Sequence, residues 1–437
     1  MSDGIVFDRG VVVVAEHCNS YPVCVKITDD ESESVLGRVK IPKPGIWRVF
    51  QSQWYRPLRV EIKDEAGNIL HSANTVNIRN REILVRLPPR SAVGDSLAWF
   101  PAAARFQEKH GCKLSVYSPR WFIDLVKDQY RHIRFIDSDS EDNNPDLLKF
   151  HAVYDLGLFP LEDNSTEHTS IQQPVDFRLI GLHDSASGIL GLPYEDTKVK
   201  LNLSAPRTIE EKYVCIAVHG SSKTKCWNNP KGWLEVIKFL KKNGYRVLCI
   251  DKEPVIYDGL LQNSIPNGAE DFTGDIPLQE RINLIKDADF FIGLSSGLSW
   301  LAYSCNVPVV LISGFTLPFN EFETPYRVIN YNGCTGCWND TREKFDHHDF
   351  QWCPRHKGTD RQFECSRIIT AAQVIKTIKR VPTFTPVPEA DGPKAVAPNQ
   401  EIKTIGAVQV HDTEQRLRRQ QAVTYLAPLE SMINITV

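Results

Sequence analysis

Short apolar or alternating segments, separated by turn residues, fill the chain up to about residue 89. None of them repeats at the 3.6-residue period of a helix, and alternation at every second position is typical of strands. The stretch 64–68, Asp-Glu-Ala-Gly-Asn, lies between two of these segments and is typical of a hairpin loop. The pattern predicts a small N-terminal β-barrel or sandwich domain over residues 1–89.

From Gly94 onward, helix-like and strand-like segments alternate. The buried-strand pattern of Tyr213–Val218, for example, is followed by Lys231–Lys242, whose apolar side chains share one helical face. Such alternation predicts parallel sheets joined by crossover helices, hence an α/β fold. We expect two doubly wound domains, residues 90–205 and 206–380, that face each other across a cleft, with the ligand at the carboxyl ends of the strands.

Composition and charge narrow the classes of function. Lysine and arginine number 51 and aspartate and glutamate 54, a formal net charge of −3, which argues against wholesale nucleic-acid binding. No apolar run approaches the ~18 residues of a membrane-spanning helix, and the first residues lack a secretory h-region. We therefore expect a soluble, cytoplasmic protein with no nucleic-acid partner and no membrane insertion. Residues 381–437 open with five prolines between positions 382 and 398, which predicts an extended linker and tail.

Two segments could bind phosphate, although the P-loop and G-x-G-x-x-G signatures are both absent. The first, Ser-Gly-Leu at 296–298, opens a helix after a predicted strand, where free backbone N–H groups and the helix dipole favour an anion; a simple N-cap is the alternative. The second follows the strand Tyr213–Val218 and offers Ser221, Ser222 and Lys225; its alternative is a solvated basic loop. Two candidates in one βα block favour a shared anionic ligand.

Asp95 stands at the corner where a predicted strand enters the first helix of the other α/β block. A carboxylate there can take the proton from a hydroxyl nucleophile, so Asp95 is a candidate general base. It can equally cap the helix, and the sequence leaves both roles open.

Cys334, Cys337, Cys353 and Cys365 crowd one polar segment, whereas most of the other cysteines are scattered singly. Four thiolates can complete a tetrahedral metal shell, and the C-x2-C spacing of the first pair forms one half of such a site. The spacing favours zinc over iron. Because four cysteines leave no open coordination position, the pattern predicts a structural metal.

These segments together resemble the heptosyltransferase pattern of two-domain (GT-B) glycosyltransferases. The resemblance rests on Gly94-Asp95-Ser96-Leu97, on Ser221-Ser222 with Lys225 and Trp227, on Phe272-Thr273-Gly274 before a helix, and on Ser296-Gly297-Leu298-Ser299. The four-cysteine segment and the leading β-domain make the chain similar to the bacterial autotransporter heptosyltransferases. Members of that family transfer heptose from ADP-heptose to serine hydroxyls of autotransporter adhesins, and the resemblance covers about residues 1–380.

The resemblance implies a role for each matching residue. Asp95 would be the catalytic base. The donor-binding residues would be Ser221, Ser222, Lys225, Trp227, Thr273, Ser296, Gly297 and Leu298. Trp300 departs from the pattern, because lipopolysaccharide-core relatives have histidine there.

The family also implies a metal, a partner and an assembly. Ferric iron, one Fe(III) per subunit, would be held by the four cysteines in a metal finger over residues 334–365. The acceptor would be an autotransporter adhesin passenger, modified by an inverting transfer. Subunits would assemble into a large homo-oligomer, a dodecamer.

Two other functions stay open on the sequence. A non-catalytic, metal-stabilised scaffold would bind a nucleotide sugar and recruit adhesins without modifying them, and such a protein would have no use for a base at Asp95. A lipopolysaccharide-core heptosyltransferase would need neither the N-terminal β-domain nor the cysteine segment.

Overall fold

The computed structural model describes residues 4–18, 21–88, 91–158, 173–259, 261–343 and 353–387. The predicted tail therefore lies outside the described residues from position 388 onward. Seven strands come first along the chain: β1 (Gly4–Asp8), β2 (Gly10–Ala15), β3 (Val23–Asp29), β4 (Val35–Ile41), β5 (Gly45–Gln51), β6 (Leu58–Lys63) and β7 (Ile69–Asn74).

Four of these strands form an antiparallel sheet in the order β4-β3-β6-β7. Along β3 every second side chain faces the core, and Val23, Val25 and Ile27 are all fully buried. Val25 lies opposite Ile62 of β6, which is equally buried. The alternation in the sequence therefore corresponds to a sheet with one face on the core.

The next elements have the βα alternation that the sequence predicts. They are β8 (Glu82–Arg86), α1 (Val93–His110), β9 (Lys113–Ser118), α2 (Arg120–Val126), β10 (Arg134–Asp137), β11 (Ala152–Asp155) and α3 (Leu182–Ile189). Strands β8 to β11 are mutually parallel and belong to a seven-stranded sheet in the order β10-β9-β8-β11-β1-β2-β5.

The expected self-contained β-barrel or sandwich over residues 1–89 is not confirmed. Strand β1 pairs in parallel with β11, and β2 and β5 continue the same sheet in antiparallel fashion. Among the described strands up to residue 89, only β4, β3, β6 and β7 form a separate sheet. The reason is that β1 is apolar and mostly buried, so it can extend the parallel sheet, a long-range pairing that local periodicity does not reveal.

The second βα series follows from residue 213. It comprises β12 (Tyr213–Ile216), α4 (Gly232–Lys242), β13 (Arg246–Cys249), β14 (Val255–Asp258), β15 (Leu261–Ser264), β16 (Glu270–Asp271), α5 (Leu278–Ile285), β17 (Phe291–Leu294), α6 (Gly297–Ser304), β18 (Val309–Ile312), β19 (Arg327–Val328), α7 (Glu364–Arg367) and α8 (Ala371–Ile378). Six strands form a parallel sheet in the order β16-β13-β12-β17-β18-β19, and β14 and β15 form a separate hairpin.

The central strands of this sheet are buried on both faces. Every residue of β12, β17 and β18 is buried. Such strands are continuous apolar runs because helices cover both faces of a parallel sheet. Helix α4 covers one face with Trp233, Val236, Ile237 and Leu240, the apolar stripe that the sequence predicts.

The two α/β halves meet along helices α1, α3 and α6. Helix α1 packs against both α3 and α6, and one hydrophobic cluster joins Phe100 of α1 to Leu301 of α6. Both helices that carry candidate site residues, α1 and α6, start at the carboxyl end of a parallel strand. Within the part of the chain that the structure describes, no helix has the length and apolarity needed to cross a membrane.

Gly191 offers a direct test of how the N-terminal strands pack on α3. It has a left-handed backbone (φ +61°), and a Cβ there would lie 2.3 Å from Cδ1 of Tyr55. The backbone N–H of Tyr55 donates to the carbonyl of Ile189 at 2.7 Å, so the tyrosine has little freedom to move away. We expect Gly191→Ala to lower the free energy of unfolding by roughly 2–5 kcal/mol, through steric overlap and left-handed strain, in chemical denaturation.

Gly67→Ala is the matched control, because Gly67 also has a positive φ (+89°) but nothing within 4 Å of its Cβ position. Its free energy of unfolding should fall by roughly 1–2 kcal/mol only, the cost of the left-handed backbone for alanine. Equal losses in the two variants would show that Tyr55 does not pack against Gly191.

Candidate active site

Asp95 lies in the first turn of α1. The N-cap residue of α1 is Ala92, and Asp95 lies three positions further along the chain. Burial raises the pKa of Asp95, and the positive charge of Lys225 opposes that rise. The carboxylate of Asp95, in the first α/β half, therefore interacts with a lysine of the second α/β half.

Lys225 follows β12 in a loop whose shape depends on Ser222. The hydroxyl of Ser222 accepts from the backbone N–H of Thr224 at 3.2 Å, and its carbonyl accepts from the N–H of Lys225 at 3.1 Å. Burial lowers the pKa of Lys225, whereas Asp95 and Glu321 raise it. Ser222 and Thr224 are buried, so this segment is an ordered turn rather than the solvated basic loop of the alternative interpretation.

Ser296 is the N-cap residue of α6, with an extended backbone (φ −148°, ψ 167°). Its side chain makes no capping hydrogen bond, and its buried hydroxyl oxygen has no partner among the described residues. A simple N-cap therefore does not account for Ser296. Together with the positive end of the helix dipole, an uncommitted hydroxyl at a helix start suits an anionic ligand.

The starts of α1 and α6 touch each other through two glycines. A Cβ on Gly297 would lie 2.8 Å from Cβ of Val93 and 3.0 Å from the backbone nitrogen of Gly94. A Cβ on Gly94 would lie 3.1 Å from Cδ1 of Trp300. Glycine at both positions therefore allows the backbones to approach. Trp300, the residue that departs from the expected pattern, packs here as a buried side chain.

Two of the predicted donor-binding residues have other roles in the structure. Trp227 is a core residue: its indole N–H donates to the carbonyl of Ile369 at 2.9 Å, and its ring packs against Trp233. The indole nitrogen of Trp227 is thus already hydrogen-bonded within the protein. The ring belongs to the hydrophobic core of the second half. The hydroxyl of Thr273 donates to Asp271 at 2.6 Å, within its own turn after β16.

The other predicted donor residues flank the central groups. Ser221 is exposed beside buried Ser222, and Leu298 is a partly buried residue in the first turn of α6. The structure therefore brings together the carboxylate of Asp95, the ammonium of Lys225 and the start of α6. Such an arrangement can hold a diphosphate and accept a proton from a hydroxyl group.

Sequence reasoning missed three buried polar residues of the second α/β half. Glu321 is 2% exposed and interacts electrostatically with Lys225. Arg281 donates to several backbone carbonyls at the carboxyl edge, including that of Gly274 at 2.5 Å. His219 has no hydrogen-bond partner on either ring nitrogen within the described residues. A histidine directly after a predicted strand was visible in the sequence, whereas the other two give no periodic signal.

The four cysteines lie near one another. Cys337, Cys353 and Cys365 are buried and Cys334 is partly buried. Burial raises the pKa of Cys337, the positive charge of Arg355 lowers it, and the other three cysteines raise it. Nevertheless, no group of three or more His, Cys, Asp or Glu side chains in the described ranges has the arrangement of a metal site. The donor set of four thiols is chemically suitable for a metal.

Comparison with known proteins identifies the group. The model of glycosyltransferase family 9 (heptosyltransferase) matches residues 172–338. The autotransporter heptosyltransferase TibC of Escherichia coli O78:H11 is 46% identical over 357 residues, which cover 82% of this chain and 85% of TibC. The inactive autotransporter heptosyltransferase BimC of Burkholderia thailandensis is 35% identical over 331 residues, 75% of this chain and 74% of BimC.

The solved structure of the iron-containing dodecameric glycosyltransferase TibC from enterotoxigenic E. coli H10407 is similar in fold. It matches with a TM-score of 0.78 at 44% identity, covering 86% of this chain and 94% of TibC. A second TibC structure, in complex with ADP-D-β-D-heptose, matches equally well. The fold is thus the mixed α/β glycosyltransferase fold of TibC, and the chain belongs to the autotransporter heptosyltransferase family.

Proposed function

We propose that this glycosyltransferase is a protein O-heptosyltransferase that moves heptose from ADP-heptose to serine hydroxyls of an autotransporter adhesin passenger, with inversion at the anomeric carbon. The observation that carries the proposal is the interaction of Asp95, from one α/β half, with Lys225, from the other, beside the start of α6. A relative in complex with ADP-D-β-D-heptose supports the donor. In this proposal the two halves are the facing domains of a GT-B enzyme, residues 90–205 and 206–380.

Asp95 supplies the base in the proposed mechanism. A serine hydroxyl is a weak nucleophile at neutral pH, so its proton must leave as the oxygen attacks. The Asp95 carboxylate takes this proton while the serine oxygen forms a bond to the anomeric carbon. The bond from that carbon to the diphosphate oxygen breaks on the opposite side, which inverts the configuration. No covalent enzyme intermediate is required.

Lys225 and the start of α6 stabilise the leaving group. ADP leaves with increasing negative charge, and a partly desolvated ammonium stabilises such charge more strongly than it would in water. The backbone N–H groups of Gly297 and Leu298 and the hydroxyl of Ser296 add donors at the helix end. Ser221 and Ser222 would complete the phosphate site. Thr273 remains a proposed donor contact. Trp227 would instead stabilise the loop that carries Lys225, through its contacts with Ile369 and Trp233.

Cys334, Cys337, Cys353 and Cys365 would hold one metal ion, proposed as Fe(III) because the related TibC is iron-containing, with zinc as the alternative. Four thiolates would supply cross-linking of the segment and no open position for catalysis. The segment already packs on the second half of the molecule: Cys337 contacts Phe315, and the position of a Cβ on Gly314 is 2.5 Å from the carbonyl oxygen of Cys365.

The remaining proposals concern assembly and location. Since TibC is dodecameric, we propose the same homo-oligomer here, acting in the cytoplasm on an adhesin before export. Residues 1–89 remain a proposed N-terminal domain, although strands β1, β2, β5 and β8 share a sheet with the first α/β half. The linker and tail proposed for residues 381–437 would begin later than position 381, because Val381 and Phe384 pack in the core of the second α/β half.

A second function has specific support, because one family member, BimC, is described as inactive. A non-catalytic scaffold would bind ADP-heptose without transferring the sugar. The arrangement of Asp95 beside Lys225 favours the enzyme, since binding alone needs no buried carboxylate near a diphosphate. A lipopolysaccharide-core heptosyltransferase would transfer to a saccharide acceptor instead of a protein.

Replacing the proposed base separates these functions. We expect Asp95→Asn to keep ADP-heptose affinity within about threefold and to lower heptose transfer by about 10²-fold or more, because the general base is lost while the donor contacts stay. Intact-mass measurement of an adhesin passenger incubated with purified protein and ADP-heptose gives the readout.

Glu235→Gln is the control, since Glu235 is an exposed carboxylate in the first turn of α4. It should transfer as well as wild type. Undiminished transfer by Asp95→Asn would remove Asp95 from its role. Donor binding by wild type without modification of either a passenger or a saccharide acceptor would favour the scaffold.

The pH range over which kcat/KM is high should be narrower than the ordinary pKa values of aspartate and lysine would give. Asp95 must be ionised, and its pKa is raised by burial, so activity should fall on the acid side at a pH above the ordinary aspartate value of about 4. Lys225 must be protonated, and its pKa is lowered by burial, so activity should fall on the basic side below about 10.4. Steady-state rates across pH measure both limits.

Lys225→Arg is the diagnostic variant, because the arginine pKa lies above about 12. Its basic limit should move upward while the acid limit stays. An unchanged basic limit would mean that another group titrates there.

Removal of one thiol tests the metal. We expect Cys337→Ser to lower the bound metal, measured by elemental analysis of the purified protein, to below about a tenth of wild type, because three thiolates no longer close the shell. Cys112→Ser is the control, since Cys112 is similarly buried but lies outside the segment. Its metal content should equal that of wild type. Wild-type protein without stoichiometric iron or zinc would contradict the site.

A further inference from the structure

A chain of buried polar side chains connects the four-cysteine segment to the start of α6. It begins at Asn339, which lies two residues after Cys337. The Asn339 residue is only 7% exposed. The side-chain oxygen of Asn339 accepts from the backbone N–H of Leu317 at 2.8 Å. Its amide nitrogen donates to the carbonyl of Arg178 at 2.8 Å and to the side-chain oxygen of Asn320 at 3.3 Å.

The next link is Glu321, which is almost completely buried. The amide of Asn320 donates to Oε1 of Glu321 at 3.3 Å, and the hydroxyl of Ser295 donates to the same oxygen. Nη1 of Arg327, on β19, donates to Oε2 of Glu321 at 2.8 Å. Both carboxylate oxygens are therefore used, as a buried carboxylate requires.

Ser295 and Lys225 are the points at which this chain reaches the proposed active site. Ser295 directly precedes the N-cap residue Ser296, so its hydrogen bond to Glu321 fixes the turn between β17 and α6. Glu321 also interacts electrostatically with Lys225, on the loop after β12. The carboxylate of Glu321 thus binds the turn before α6, on one side of the proposed phosphate site, and stabilises the positive charge of Lys225 on the other side.

Burial makes this network sensitive to its ends. A buried ion pair contributes little net stability, but the loss of one partner is strongly destabilising because an uncompensated charge remains. In a low-dielectric interior, linked hydrogen bonds also reinforce one another. A shift of Asn339 is therefore passed to Asn320 and Glu321 instead of being absorbed by water.

We propose that Asn339, Asn320 and Glu321 are positioning residues that set the geometry of the donor-phosphate site and couple it to the four-cysteine segment. The proposal rests on the proposed function, in which Ser296 and Lys225 bind the diphosphate of the donor. It assigns to the cysteine segment an effect on donor affinity in addition to local cross-linking.

Asn339→Ala tests the proposal, with Asn243→Ala as a matched control. Asn243 is also buried (9% exposed), and its side-chain amide also both accepts and donates. Its oxygen accepts from the N–H of Val387, and its nitrogen donates to the carbonyl of Phe239. It is the C-cap residue of α4, before β13. Both variants should lose similar thermal stability, so any difference in ligand affinity is not a general effect of unfolding.

The measurement is calorimetric binding of ADP to the full-length, metal-loaded protein. We expect the Kd for ADP to rise about tenfold in Asn339→Ala and to stay within about twofold in Asn243→Ala. In transfer assays Asn339→Ala should raise the KM for ADP-heptose and leave the KM for the adhesin acceptor unchanged. Equal Kd values in the two variants would overturn the proposal.

A double-mutant cycle checks that the effect passes through Glu321. Glu321→Gln keeps an oxygen for the hydroxyl of Ser295 but loses the charge. In a coupled network, adding Asn339→Ala to Glu321→Gln should weaken ADP binding by less than about threefold further. A further loss of about tenfold, as for independent sites, would overturn the coupling. Failure of the wild-type protein to bind ADP would overturn the proposed function, and this inference with it.

Discussion

The close approach of two helix starts is the constraint on which the site depends. Each helix start carries a partial positive charge of about half a unit, so two of them in contact repel unless negative charge lies between them. Gly94 and Gly297 allow the approach, and Asp95 supplies one negative charge. A diphosphate would supply more. The same geometry that makes the bare site electrostatically unfavourable therefore makes it selective for an anionic donor.

Much of the fold follows from local pattern. The helix predicted at 231–242 is observed at Gly232–Lys242, and the strand predicted at Tyr213–Val218 begins at the same residue. These elements are predictable because α4 buries a periodic apolar face and β12 is a continuous apolar run. The pairing of β1 with β11 was not predictable in this way, since nothing in the alternation of a short strand states which distant strand it will join.

The candidate site was partly predictable, and the difference lies in the kind of signal. Asp95, Lys225 and Ser296 stand at strand-to-helix corners, where the chemistry of the position is visible in the sequence. Trp227 stands in the same loop, but an aromatic ring there can face either the ligand or the core, and packing against Trp233 decided for the core. Glu321 gave no signal, because its importance comes from Ser295, a partner distant in sequence.

The order of strands in the first sheet has a consequence for biosynthesis. Strand β1 finds its parallel neighbour β11 only after residue 155 has been made. Pairing over so long a separation slows folding, because the chain must close a large loop first. A chain that lacked β1 would leave β11 as an open sheet edge, a template for aggregation with other chains.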